Sequence, residues 1–372
     1  MGIQHNSWLK GALAAALAVA SITGLYGCSR GSAYSDGGGA MAGRSPSPSA
    51  VQAESAPAEL SAWLADWDWK LGFADLRQVA EGLTSLQLFA AYFDSEDQPF
   101  LTEEFQAGWE ELNKQYPPNK RKPLYITLVN DSFLKDGSTV QKDSTLLTRL
   151  LATADTRSSH IEDIVSLANK YDFQGVELDY ERVADGDWSG MLLLIAELHE
   201  RLQAEQLKLR VVLEPGAPFH KFDLPEGPEY GVMAYNLYGY HSGPGPKADH
   251  AFITKLTQKA AALPGDPYIA FSGGGFDWGP KGSIKALTEA QAVKLAEQTG
   301  SKLQRDAASG GAYFTYTDKK RGEHTVWYAD AETMAGWMET ARAGGSRKMA
   351  LWRLGELSAP TLAFLKGYVD SL

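Results

Sequence analysis

Between residues 59 and 372, short runs rich in β-branched and aromatic residues alternate with longer amphipathic stretches, and this alternation narrows the fold more than any other feature of the chain. The runs predicted as strands are Leu60–Ala65, Leu86–Tyr92, Leu124–Val129, Gly175–Tyr180, Leu209–Leu213, Gly231–Tyr235, Tyr268–Phe271 and Lys348–Trp352. The stretches between them, such as Ser144–Ala154, His160–Tyr171, Trp188–Glu205, His250–Ala262 and Glu289–Arg305, are long enough for helices to cross back over a sheet. Regular spacing, without a dinucleotide-binding glycine fingerprint, predicts an α/β fold whose eight parallel strands close into a (β/α)8 barrel, not an open doubly wound sheet. Between the seventh and eighth strands the chain is longer than a crossover requires. Ala312–Thr317 and Thr325–Ala329 flank the turn-forming Asp318-Lys319-Lys320-Arg321-Gly322 and precede a helical pattern at Ala331–Ala343. They predict an inserted hairpin forming one wall of the barrel mouth.

The barrel is preceded by two segments of different character. Residues 1–27 read as a signal peptide: Met1–Lys10 is polar, and the apolar run Gly11–Leu25 is too short for a comfortable transmembrane span. Its end, Leu25-Tyr26-Gly27-Cys28, resembles the lipobox of bacterial lipoproteins, in which the cysteine is acylated and becomes the mature N-terminus. The expectation is a lipid anchor on Cys28 and a location in the cell envelope, on an extracytoplasmic membrane face or the cell surface. The plainer alternative is a secretory signal with an incidental cysteine. Residues 28–58 are rich in Gly, Ser, Ala and Pro, with too little apolar surface to offset ordering entropy, and are expected to be a flexible tether.

Composition removes several function classes. Lys and Arg total 35 against 46 Asp and Glu, and the net charge of −11 offers no footprint for a nucleic-acid backbone. A single Cys excludes a disulfide framework and any multi-cysteine zinc site. His199-Glu200 has no second His at the zinc-helix spacing, so neither metal nor cofactor is expected.

The chemistry is most legible in Phe173-Gln174-Gly175-Val176-Glu177-Leu178-Asp179-Tyr180-Glu181. On a strand, Glu177, Asp179 and Glu181 face one side and Val176, Leu178 and Tyr180 the other. In a barrel the apolar side packs on helices, so the acids point into the lumen, where burial and like charge raise the pKa of at least one of them. A protonated acid beside an ionised one is what glycosidic cleavage needs. The same pattern is also compatible with a solvated edge strand.

Gln174–Glu181 resembles the fourth-strand signature of glycoside hydrolase family 18, the chitinase and endo-N-acetylglucosaminidase family, whose usual form is Asp-Gly-x-Asp-x-Asp-x-Glu. Met233-Ala234-Tyr235-Asn236 resembles that family's sixth-strand Met-x-Tyr-Asp, and Ala350-Leu351-Trp352-Arg353-Leu354-Gly355 its eighth-strand Trp segment. Phe314–Asp330, with Glu323-His324-Thr325-Val326-Trp327, resembles the bacterial branch of cell-wall and spore-germination proteins. The resemblance implies a TIM barrel, no cofactor, an N-acetylglucosamine-containing glycan as partner, and a monomer. It further implies substrate-assisted retention: Glu181 is the general acid, Asp179 holds the acetamide N–H, Tyr235 donates to the acetamido carbonyl, and Trp352 floors the distorted sugar.

Three positions depart from the family pattern: Gln174 and Glu177 each stand in place of Asp in the strand signature, and Asn236 replaces the Asp after Tyr235. Glu177 keeps its charge, to relay polarity to Asp179 or to crowd it. Met233, Asn236, Glu214, Trp67 and Tyr238 complete the expected substrate-binding set. Glu214 either reaches the mouth or pairs with an arginine such as Arg353. Trp67 and Trp69 lean toward the cleft, Trp63 toward the core, and Asp66 and Asp68 either bind sugar hydroxyls or form the turn. Tyr240 and His241 could line further subsites, and Gly273-Gly274-Gly275 reads as a loop close to the ligand. The competing function is a catalytically silent barrel that binds glycan or serves as an envelope scaffold. With Asn236 no like charge adjoins the acid from the sixth strand, so Asn236→Asp is expected to move the basic limb of an activity profile to higher pH; an unmoved limb counts against that coupling.

Overall fold

The computed structural model describes residues 58–320 and 322–371. The expected signal segment, most of the tether and Cys28 lie outside the described residues. Ala58, placed by sequence in the tether, is already buried and belongs to the fold.

Eight parallel strands close the barrel: Glu59–Ala65, Ser85–Phe93, Leu124–Phe133, Gly175–Asp179, Lys208–Leu213, Glu229–Met233, Tyr268–Ser272 and Lys348–Trp352. Closure is explicit in the register, Glu59 pairing with Lys348 at one seam while Leu86 pairs with Leu124 and Tyr125 with Gly175 further round. All eight predicted strands are present. Leu60, Ala62, Leu64, Val176, Leu178, Val211, Val232, Ile269 and Leu351 alternate outward into the core beneath the helices. Trp63, Val212, Met233, Tyr235, Tyr268, Ala270 and Ala350 form a separate cluster inside the lumen. At Gly175 a Cβ would press on the Tyr125 ring, so the fourth strand can approach that ring only as glycine.

Two helices differ from expectation. The helix from Ser144 stops at Leu151, and the one expected from His160 already starts at Ala154, because Thr153 and Thr156 form a capping box there. The helix at Glu289 ends at Thr299, where Gly300 adopts a left-handed conformation. The inserted hairpin is larger than predicted: an antiparallel five-stranded sheet in the order Ile284–Leu287, Gly274–Trp278, Glu323–Ala329, Ala312–Thr317, Gln304–Arg305. Helix Glu289–Thr299 packs on it through Ala292, against Leu287, Phe314, Val326 and Tyr328. The triglycine read as a loop thus opens a strand, and a side chain at Gly275 would overlap the Trp327 carbonyl across the pair.

The lumen floor is built around a buried charge. Arg210 donates to Glu229 Oε2 from Nη2 at 3.2 Å and to Ser61 Oγ from Nη1 at 3.2 Å, lies 3.6 Å from Glu177 Oε2, and covers the Tyr268 ring at 3.8 Å. Arg210→Met strands Glu177 and Glu229 in a low-dielectric lumen and is expected to cost about 3–5 kcal/mol. A fall in the urea midpoint at constant m checks this; an unchanged midpoint excludes it.

Candidate active site

The strands end in a mouth where the side chains singled out by sequence converge. Glu177, one layer below it, is fully buried; its Oε1 accepts from Trp63 Nε1 at 2.6 Å and Thr127 Oγ1 at 2.8 Å. Asp179 closes the fourth strand, and its Oδ1 is buried without a hydrogen-bond partner. Burial, and next the charge of Glu181, push the Asp179 carboxyl well above the usual carboxylate range.

Glu181 lies just past the strand, where Asn130 fixes its backbone. The Glu181 N–H donates to Asn130 Oδ1, and Asn130 Nδ2 donates to the Glu181 carbonyl, each at 2.9 Å. Its carboxylate Oε2 is ion-paired with Lys142 Nζ. Lys142 stands beyond a hairpin in which Thr139–Val140 pairs with the end of the third strand, and its N–H donates to Asp131 Oδ1 at 2.8 Å. Burial raises Asp131 to about 6. Neither Lys142, Asp131, Asn130 nor Arg210 was singled out from sequence. Lys142 is 39 residues from Glu181 in the chain, and no periodic signal links the two.

Tyr235 is buried in the lumen cluster, and burial, then the acids at 179, 181 and 177, keep its phenol neutral. Trp352 lies among aromatic neighbours: Phe89 at 4.7 Å, Trp63 at 6.0 Å and Trp67 at 6.3 Å between ring centroids. Trp67 is 36% exposed, so this aromatic group reaches from the lumen to solvent. Met233 belongs to the lumen cluster, and Asn236 takes a positive φ of 68°, a conformation Asn tolerates better than most residues.

Several open alternatives close here. Glu214 is not paired with Arg353, which instead donates to Asp68 Oδ2 at 2.9 Å. Glu214 is raised by burial, then by Glu181, and senses Lys142, so it belongs to the acid cluster. Asp66 accepts from Trp67 N–H, Tyr92 OH and Thr102 Oγ1 and serves the turn. Trp63 packs in the lumen and also donates to Glu177. Trp69 packs edge-on against Phe73 in place of leaning into the cleft. Tyr238 is half-buried beneath its own loop, where a Cβ on Gly245 would strike its ring. Among the described residues, no three His, Cys, Asp or Glu side chains are grouped so as to hold a metal ion.

The fold and this mouth define a parallel barrel with a buried acid, an ion-paired acid and a neutral phenol beside an aromatic floor. Residues 139–356, more than half of the chain, match the model of glycosyl hydrolases family 18, and the chain belongs to that family. It is 23% identical over 236 residues to the uncharacterized glycosylase YvbX of Bacillus subtilis, covering 58% of this chain and 67% of that protein. To the cortical fragment-lytic enzyme of B. subtilis it is 24% identical over 262 residues, 64% of this chain and 57% of the relative. Among solved structures, the Bacillus cereus spore cortex-lytic enzyme SleL aligns with a TM-score of 0.71 and 19% identity, over 83% of this chain and 73% of that one. A chitinase from Chromobacterium violaceum aligns with a TM-score of 0.71 and 18% identity, over 85% and 99%. Both share the barrel fold.

The Asp179 environment predicts a carboxyl that keeps its proton to higher pH than an ordinary aspartate. A protonated-carboxyl band in infrared difference spectra that persists above the ordinary aspartate range, absent in Asp179→Asn, is the expected result; its absence in the wild type contradicts the burial effect.

Proposed function

We propose that the chain hydrolyses β-linked N-acetylglucosamine-containing glycans by a retaining, substrate-assisted route at this mouth. The observation that carries the reading is the pairing of two carboxyls two residues apart in contrasting surroundings: Asp179 buried, its Oδ1 unpartnered and its pKa raised, Glu181 ion-paired at the rim. In this reading Asp179 passes its proton to Glu181 as Lys142 withdraws, the ionised Asp179 then accepts from the glycan's 2-acetamido N–H, and Tyr235 donates to the acetamido carbonyl. That carbonyl oxygen attacks the anomeric carbon as the glycosidic C–O bond breaks, and Glu181 delivers a proton to the departing oxygen. Lys142 gives up its place at Glu181 Oε2 to that oxygen. Glu181 then takes a proton from the water that opens the oxazolinium ion, which regenerates the acid and leaves the anomeric configuration retained. Trp352 forms the apolar floor under the sugar, with Trp67 extending it.

Glu177 supports the site from below in this reading: its oxygens serve Trp63, Thr127 and Arg210, which stiffens the strand carrying Asp179. Met233, Asn236, Glu214 and Tyr238 complete the expected binding set around it. Acylation of Cys28 would place the enzyme at the cell envelope, with the tether giving it reach to a polymer.

A reducing-end assay on chitin oligomers, poly-N-acetylglucosamine and peptidoglycan tests the proposal. Glu181→Gln is expected to lower turnover on the cleaved glycan about 10²- to 10⁴-fold, and a thiazoline mimic of the oxazolinium ion should inhibit the wild type. Equal activity in both forms, or none in the wild type on any acetamido glycan, sinks it.

A further inference from the structure

Lys247 is placed in a way that packing alone does not explain. It closes the loop after the sixth strand, where its carbonyl accepts from the Leu237 N–H at 2.9 Å. Its side chain reaches the end of the seventh strand, donating from Nζ to Ser272 Oγ at 2.8 Å and to the Gly273 carbonyl at 2.7 Å. Ser272 pairs in register with Trp352, and the Gly273 N–H donates to the Trp352 carbonyl at 3.0 Å. The ammonium therefore stands at the barrel mouth, beside the strand end that presents Trp352. Phe276 of the inserted sheet lies 5.4 Å away, ring centroid to Nζ.

None of these partners carries negative charge. Among the described residues no carboxylate lies within ion-pair distance of Lys247, and the charged group that acts on it is Arg353, of like sign. Arg353 is itself held by Asp68 and lies over the Trp67 ring at 5.5 Å. On the elements packed around it the other titratable groups are engaged elsewhere. Asp249 caps its helix at Phe252 N–H, His250 bonds Thr340, and Asp277 holds Tyr316 and His324. Burial, then Arg353, lower the Lys247 amine to about 7.

A half-buried ammonium without a counter-charge is costly, and a methionine would fill the same space without that cost. An ammonium has three donors, and two are used here. The remaining donor and the uncompensated charge, at the rim of a cleft in a chain of net charge −11, fit an incoming anion. We propose that Lys247 receives a carboxylate carried by the glycan, on a sugar adjoining the acetamido sugar above Trp352, so that the preferred substrate is an acidic acetamido glycan. The proposal rests on the glycosidase reading of the same cleft. Arg353 supplies a second cation along the rim.

The carboxylate restores the charged form of the amine, so its binding takes up a proton. Affinity for the acidic glycan therefore strengthens as pH falls through about 7 and weakens above it, whereas a neutral glycan shows no such dependence through Lys247.

The test compares three oligosaccharides of equal length. One is all N-acetylglucosamine; one alternates with a sugar bearing a 3-O-lactyl carboxylate; the third is the second with its carboxyls methyl-esterified. In the wild type at pH 6, kcat/KM for the acid is expected to exceed that for the ester about tenfold or more, with the ratio shrinking above pH 7. Lys247→Met brings the ratio to about one, while Lys247→Arg keeps it and removes its pH dependence. Equal kcat/KM for acid and ester in the wild type across the pH range overturns the carboxylate site, and this comparison needs no variant. If the wild type cleaves none of the three, the glycosidase reading fails separately. Calorimetric titration at pH 7.5 in two buffers of different ionisation enthalpy then decides on Lys247: proton uptake with the acid and none with the ester supports the site, and equal binding of both rejects it.

Discussion

The arrangement depends on one constraint: a carboxylate sealed inside a barrel must be answered from the strands around it. Glu177 is that carboxylate. Trp63 reaches it from the first strand, Thr127 from the third and Arg210 from the fifth, so four of the eight strands meet in one polar knot. The alternation that buries Val176 and Leu178 outward forces Glu177 inward, and with it Asp179 one layer higher. Arg210 answers Glu177 but lies a layer too low to answer Asp179. Asp179 therefore meets burial with its Oδ1 unpartnered, and it keeps a proton in place of a counter-ion. A structural charge below and a chemical one above are consequences of the same pleat.

What could be read from the sequence follows from how local each signal is. The eight strands and the inward set at 177, 179 and 181 came from period-two alternation, which a few consecutive residues suffice to show. The mouth positions of Trp352 and Tyr235 came from motif resemblance, and both residues do join the lumen aromatic group. Lys142 was invisible because its approach to Glu181 depends on a two-residue hairpin pairing across the end of the third strand, a tertiary event with no periodicity. The inserted sheet was under-read for a related reason: Gly274-Gly275 looks like a breaker, yet it is needed where two strands come too close for a side chain. Arg353 was named only as an example of a partner for Glu214; Asp68 takes it instead, across the seam between the eighth and first strands.

The mouth is divided by charge. Over the third to fifth strands Asp131, Asp179, Glu181 and Glu214 gather around Lys142. Over the seventh, eighth and first strands lie Lys247 and Arg353, with the rings of Phe276, Trp352 and Trp67 between them. A polymer lying across this mouth would meet acid chemistry at one end and an aromatic, cationic rim at the other. Such polarity fixes the direction in which a chain lies, because a sugar with a negative substituent is repelled by the acid cluster and drawn to the opposite rim.

In the proposed reaction the Lys142–Glu181 pair gives this division a role in timing. In the free protein burial makes loss of the Asp179 proton expensive, while Glu181 Oε2 is ion-paired with Lys142. A sugar that seals the mouth removes water from both acids and occupies the space at Glu181 Oε2, so the ammonium is displaced just as the acid loses solvent. In the proposed reaction both changes ease proton transfer to Glu181, and an acetamide N–H arriving at Asp179 eases the loss of a proton there. Under the proposed function this proton exchange between the two carboxyls is driven by the substrate itself, and an empty site has no reason to make it.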